Sequence, residues 1–239
     1  MVSRIQRKTA PKGDALDKTA IRHAATIILV RDPESAPKVL MGQRGANAAF
    51  MPNKFVFPGG AVDAGDGVIP LATALPEPCT TRLHTDAQDG LAPGLFTAAI
   101  RELWEETGLA LGRKGTWDVD VPSDWTAFAE LGLIPDPTGL RYVFRAITPP
   151  GRPRRFDARF FLANADQLAV DPDDFGRASD ELSHLQWIPL EEVRNFTLPF
   201  ITEVVLAEIA AALPNLDAPN SVPFFDNRTD TSMFRRIDG

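Results

Sequence analysis

Apolar and polar positions change period along the chain. Ala24 to Val30 is an unbroken apolar, β-branched run, and Lys38 to Arg44 is a second candidate strand. The RDPESAP between them carries Pro33 and Pro37, so the two are predicted to form a hairpin. Phe55-Val56-Phe57 is predicted to run as a strand into a tight loop at Pro58-Gly59-Gly60, where glycine opens backbone conformations closed to other residues. From Ala61 to Gly94 the composition is loop-like, with Pro70, Pro76, Pro78 and Pro93, and only VIPLATAL can form a short helical turn. Helical spacing starts at Leu95: Leu95, Ala99, Leu103 and Thr107 share a stripe, and Gly108 is placed to end the helix. Leu140–Ile147 and Ala158–Ala165 read as strands separated by PPGRPRRF, and Leu185–Ile188 as another short strand. Leu190–Asn195 and Ile201–Leu213 read as helices, and periodicity is lost after Pro214, which predicts an extended tail able to pack on the domain. Strands, a helix, more strands and final helices predict a mixed sheet between helices, an α/β fold.

Composition narrows the chemistry. The 239 residues are 44% hydrophobic, enough for one elaborated domain. The boundaries expected are a mobile arm over 1–22, a domain over 23–213 and a tail over 214–239. No apolar run approaches the roughly 18 residues that span a bilayer, so no membrane partner is expected. Basic residues near the N-terminus are followed by no apolar stretch of a secretory signal. Cys79 is the sole cysteine, which excludes an internal disulfide and a multi-thiolate metal site and fits a reducing compartment. A net charge of −7 argues against a nucleic-acid partner. His23, His84 and His184 are dispersed, without zinc spacing. Trp104, Trp187, Phe50 and Phe161 are expected to serve apolar packing.

The informative segment is Arg101-Glu102-Leu103-Trp104-Glu105-Glu106-Thr107-Gly108-Leu109. On a helix Glu102, Glu105 and Glu106 fall at i, i+3 and i+4 and share a face. Like charges at that spacing repel, and they lie near the helix C-terminus, where the macrodipole disfavours anions. A hard divalent cation, Mg²⁺ or Mn²⁺, would offset the repulsion, because such ions prefer carboxylate oxygens and phosphates. Arg101 is spaced to pair with Glu105. A solvated acidic face is the bland alternative for three glutamates alone.

The arrangement resembles the Nudix box, G-x5-E-x7-R-E-U-x-E-E-x-G-U with U apolar. Its second half is matched at every specified position from Arg101 to Leu109. In the first half Gly60 is followed after five residues by Asp66, a shorter carboxylate than the pattern's glutamate. Between Asp66 and Arg101 stand 34 residues where the pattern has seven, so the box carries an insertion of 27, at about 67–94. Loop-closure cost grows slowly with length, so both halves can still meet. The resemblance implies an α/β/α sandwich around a mixed sheet, and hydrolysis of a pyrophosphate bond in a nucleoside diphosphate linked to another moiety. Carried over, Glu105, Glu106 and the Gly59 carbonyl would be metal ligands, Glu102 a ligand or the catalytic base, and Gly60 and Asp66 supporting residues. Of Asp180 and Glu181, Glu181 is the better match to a distal catalytic carboxylate.

LMGQRGANAAFMPNKFVFPGG is similar in spacing to the coenzyme A diphosphatase signature, with Leu40, Arg44, Phe57, Pro58, Gly59 and Gly60 in register and Gly42, Gly45, Ala49 and Asn53 departing from it. The implied substrate is coenzyme A or acyl-CoA; ADP-ribose or a nucleotide sugar, and a non-catalytic nucleotide-binding module, are the alternatives. Arg44, Arg154, Arg155 and Arg159 are the candidate phosphate contacts, since guanidinium can grip phosphate bidentately. The final Ile237-Asp238-Gly239 is unlike a peroxisomal address, and a cytoplasmic setting is expected. The long loop from Gly67 to Gly94 is a candidate partner or homodimer surface.

Overall fold

A computed structural model describes residues 20–48 and 50–239. The expected N-terminal arm lies outside these residues except for its last three, of which Ile21 and Arg22 open the first strand; Ala49 also lies outside them.

In chain order the strands are β1 (Ile21–Arg31), β2 (Lys38–Arg44), β3 (Phe55–Val56), β4 (Gly59–Ala61), β5 (Gly112–Lys114), β6 (Leu133–Pro135), β7 (Arg141–Ile147), β8 (Arg155–Asn164), β9 (Leu182–Pro189), β10 (Val222–Asp226) and β11 (Met233–Ile237). The helices are α1 (Cys79–Leu83), α2 (Leu91–Thr107), α3 (Thr126–Glu130) and α4 (Phe200–Ala212). Nine strands form one mixed sheet in the order β11-β10-β7-β8-β1-β2-β3, with β4 paired to β1 and β9 to β2. β1 runs antiparallel to β2, as the hairpin reading requires, and parallel to β8 over ten residue pairs.

Burial separates the two faces. Ala25, Ile27 and Leu29 of β1 join Phe96, Ala99, Ile100 and Leu103 of α2 in one apolar layer. Ile28 and Val30 point the other way, into a layer with Val205, Leu206 and Ile209 of α4. The unbroken apolar run of β1 is thus explained by a strand covered on both faces, and the architecture is a helix–sheet–helix sandwich. Among the described residues no helix is long and apolar enough to cross a membrane.

Four expectations need correction. Gly59–Ala61 is a strand rather than a loop: Ala24, Ala25 and Thr26 face Ala61, Gly60 and Gly59. A side chain at Gly59 would place its Cβ 2.6 Å from the Ala25 carbonyl oxygen and 2.7 Å from Thr26 Cα, so close approach to β1 demands glycine. VIPLATAL forms no helical turn of its own. Its Val68 closes a 3₁₀ turn begun at Asp66, and the irregular residues that follow are tied down by bonds such as Ala72 N–H to the Pro135 carbonyl, 2.8 Å. α2 begins at Leu91, four residues early, because Pro93 sits in the first turn, where its missing N–H has no partner to lose.

The fourth correction concerns the C-terminus. Instead of an extended tail, β10 pairs parallel to β7 and β11 antiparallel to β10, widening the sheet by two strands. Arg82 of the box insertion is buried and donates to the carbonyls of Pro219, Asn220 and Gly239, while Asp86 accepts from Arg228 and Arg235. Arg145 spans the two, donating to Asp157 and to the carbonyls of Thr85 and Asp86, with its guanidinium 4.3 Å from the Phe224 ring. The insertion and the C-terminal strands therefore brace each other. We expect Phe224→Ala to destabilise the protein by about 3–5 kcal/mol, the cost of emptying a buried aromatic site. Urea unfolding would measure it, and an unchanged midpoint would return β10 to the status of a loosely attached tail.

Candidate active site

The sequence places Arg101, Glu102, Glu105 and Glu106 in the last two turns of α2, and Gly108 ends the helix at φ 75°, donating its N–H to the Trp104 carbonyl at 2.8 Å. Arg101 is 5% exposed and nearly saturated with acceptors. Its Nε and Nη2 grip Asp66 at 2.9 and 3.0 Å, Nη1 reaches Glu102 at 2.9 Å and Glu105 at 3.0 Å, and Nη2 also donates to the Ala61 carbonyl at 2.9 Å. Asp66 is itself buried and accepts the Asp63 N–H at 2.8 Å. Residues 35 apart in sequence are joined in a two-pronged ion pair, and the insertion loops out between them.

Glu106 lies against β4. Its Oε2 accepts the Gly59 N–H at 2.8 Å, while its Oε1 is buried without a partner. Gly60 leaves the space that Glu102 fills, since a Cβ there would stand 2.4–2.5 Å from the Glu102 carboxylate. Burial pushes the Glu102 carboxyl up to about 7, with Glu105 and Glu181 adding to the effect and Arg101 opposing it. Glu106 is raised well above the ordinary range, first by burial and then by Glu102. Glu105, half-exposed, is raised by burial against the pull of Arg101.

A further carboxylate, Glu181, arrives from the residue before β9. Arg44 at the end of β2 faces Leu182, and Arg44 Nη2 donates to Glu181 at 2.9 Å. The β2–β9 ladder slips by one residue between Met41 and Gln43. Gly42 sits at the slip, where a Cβ would come 2.9 Å from both Leu182 and Leu185. The loop before Glu181 is pinned to the acidic helix, with the Ser179 N–H donating to the Glu105 carbonyl at 3.0 Å. The negative charge of Glu181 raises both Glu102 and Glu106, and the Arg44 guanidinium draws Glu106 back down.

The structure thus brings together Arg44, Gly59, Gly60, Asp66, Arg101, Glu102, Glu105, Glu106 and Glu181. Asp180 is exposed and enters no described bond. Arg154 is exposed in the β7–β8 turn, which lies at the sheet end shared by the start of β1. Arg155 and Arg159, expected as phosphate contacts, are otherwise engaged. Arg155 donates to the carbonyls of Thr148, Asn227 and Arg228. Arg159 is wholly buried and bonds to Asp157 and His23. Trp104 packs edge-on against Phe128, and Trp187 lies under the Arg31 guanidinium. Phe161 packs against Phe96 in the core, whereas Phe50 is half-buried and edge-on to Phe156. Residues that sequence reasoning missed are Gly42, Asp63 (3.7 Å from Arg101) and the buried partners Arg145 and Asp157; only the glycine carried a signal, as a break in a strand pattern.

Among the described residues, no three acidic, histidine or cysteine side chains are gathered closely enough to enclose a metal ion as they stand. Arg101 holds Glu102 and Glu105 to one side. The donor set still fits a hard divalent cation: it is all oxygen, its charges are buried at an electrostatic cost, and Glu106 Oε1 has no hydrogen-bond donor.

No protein-family model matches the chain. Nudix hydrolase 7 of Caenorhabditis elegans is 32% identical over 183 residues, which cover 72% of this chain and 52% of that protein. An acyl-coenzyme A diphosphatase of Gallus gallus is 28% identical over 214 residues, 66% of this chain and 56% of its own. The crystal structure of a NUDIX hydrolase from Alicyclobacillus acidocaldarius aligns over 82% of this chain and 94% of its own, with a TM-score of 0.59 and 27% identity. The chain belongs to the Nudix hydrolase superfamily. It spans about half the length of the curated relatives it matches. The acidic helix, Gly59–Gly60 and Asp66 are accordingly the two halves of its Nudix box, joined in space across the insertion.

Asp66→Ala would leave the Arg101 guanidinium buried without its bidentate partner. We expect a loss of about 3–5 kcal/mol, read by denaturant unfolding; a loss below 1 kcal/mol would show that Glu102 and Glu105 suffice. Gly60→Ala should displace the Glu102 carboxylate while far-UV circular dichroism stays native, and retained Mn²⁺ affinity in that variant would contradict the packing described.

Proposed function

We propose that the chain is a divalent-metal-dependent pyrophosphohydrolase acting on a nucleoside diphosphate linked to another moiety, with coenzyme A or acyl-CoA as preferred substrate. The observation that carries the reading is the pair of buried carboxylates, Glu102 and Glu106, packed against Gly59 and Gly60 with one Glu106 oxygen unpartnered. Support for the substrate comes from the likeness to the Gallus gallus acyl-coenzyme A diphosphatase and from the spacing of Leu40, Arg44 and Phe57 to Gly60.

Glu102, Glu105, Glu106 and the Gly59 carbonyl would hold Mg²⁺ or Mn²⁺. When bound, such a cation withdraws charge from phosphoryl oxygens and acidifies water. Arg101 fixes the orientation of Glu102 and Glu105 by its bonds to Asp66 and Ala61. Glu181, whose side chain is 55% exposed and whose Oε1 accepts from Arg44, would accept the proton of the attacking water. The new bond joins water oxygen to phosphorus, the bridging P–O bond breaks, and the leaving phosphate takes the electron pair. Of the arginines expected to contact phosphate, Arg154 is exposed and Arg44 lies beside Glu181, and these two would meet the phosphate oxygens.

Turnover of coenzyme A, acyl-CoA, ADP-ribose and dinucleoside polyphosphates with Mg²⁺ or Mn²⁺, products identified by mass spectrometry, tests the substrate. We expect coenzyme A compounds to lead; inactivity toward them would remove the preferred substrate and leave the reaction class to the others. Glu106→Gln should lower turnover on the order of a hundredfold or more, a loss of about 2.7 kcal/mol or more in transition-state stabilisation. Unchanged turnover would remove Glu106 from the ligand set.

A further inference from the structure

Arg44 is expected from the sequence to contact phosphate, yet the structure commits it elsewhere. Its Nη2 is 2.9 Å from Glu181 Oε1, and its Nε is buried without a partner. Arg101 supplies positive charge to Glu102 and Glu105, but it makes no bond to Glu106 or Glu181. Arg44 is thus the guanidinium that serves the Glu181 side of the site. The side chain is held by its backbone: Arg44 N–H donates to the Lys54 carbonyl and its carbonyl accepts from Asn53 N–H, so it projects from a fixed strand end.

We propose that Arg44 is a placeholder cation. In the protein without metal its guanidinium pairs with Glu181 and neutralises it. When a divalent ion takes over that balance, the guanidinium is released to the incoming diphosphate. This rests on the pyrophosphohydrolase reading above and adds to it a coupling of opposite signs: the same positive charge opposes the metal and attracts the phosphate. A merely structural arginine would not produce that pattern, since its loss would loosen the site for both ligands.

The test uses the full chain with Mn²⁺ alone and then, at saturating Mn²⁺, with the non-hydrolysable diphosphate α,β-methylene-ADP, both by calorimetry. Arg44→Gln should bind Mn²⁺ about tenfold more tightly than wild type, because a neighbouring positive charge is gone, and should bind α,β-methylene-ADP about tenfold more weakly. Arg44→Lys should restore the wild-type Mn²⁺ affinity and part of the diphosphate affinity. Glu181→Gln, a change at an exposed side chain, should weaken Mn²⁺ binding by leaving Arg44 unbalanced, and adding Arg44→Gln should recover it. Mn²⁺ affinity unchanged or reduced in Arg44→Gln, or a double variant no better than Glu181→Gln, would overturn the placeholder role. Unaltered α,β-methylene-ADP affinity would overturn the release to diphosphate. Wild-type protein that binds no Mn²⁺ would instead sink the pyrophosphohydrolase reading, and this inference with it.

Discussion

The buried guanidinium of Arg101 is the constraint on which the site depends. It ties α2 to the loop behind β4 through Asp66 and the Ala61 carbonyl, and from the same planar group it orients Glu102 and Glu105. Burial alone would penalise the charged arginine, but its ion pairs overcome that penalty and hold it protonated. Five donors in a rigid fork make this arrangement available to arginine and not to lysine.

That clamp explains how the box tolerates its interruption. The insertion leaves after Asp66 and returns into α2, and its own polar groups are met by a second set of contacts, from Arg82 to the Pro219 and Asn220 carbonyls before β10 and from Asp86 to Arg228 and to Arg235 of β11. Arg145 and Asp157 then carry the connection into the middle of the sheet. An added segment is thereby balanced by an added edge, and neither needs to displace the residues that line the site.

The parts of the fold legible in the sequence are those in which one element carries its own signal. The run at Ala24–Val30 and the helical spacing of Arg101 to Gly108 are local patterns, and the structure places a central strand and an acidic helix there. β4 was illegible because glycines present no alternation to read. β10 and β11 were hidden because Val222–Asp226 contains a proline and Met233–Ile237 exposes most of its side chains, so pairing more than burial defines β11. The arginines of β7 and β8 misled in the other direction: charge suggests solvent or phosphate, but Asp157, two residues from Arg159, lets both Arg145 and Arg159 be buried. Arg44 meeting Glu181 across 137 positions depends on tertiary register, which no window of sequence reveals.

The one-residue slip between β2 and β9 has a consequence for how much variation this corner can absorb. Side chains alternate across a sheet with a period of two, yet Ser183 and Gln186, three apart, pair with Gln43 and Met41, two apart. β9 thus absorbs one extra residue at the slip, and losing it would remove the local bend that leads the strand to Glu181. Two residues added or lost would preserve facing but move the carboxylate along the strand by about 7 Å. The reach of that carboxylate is therefore metered by backbone counting, and the tolerance for length change seen inside the box has no counterpart here.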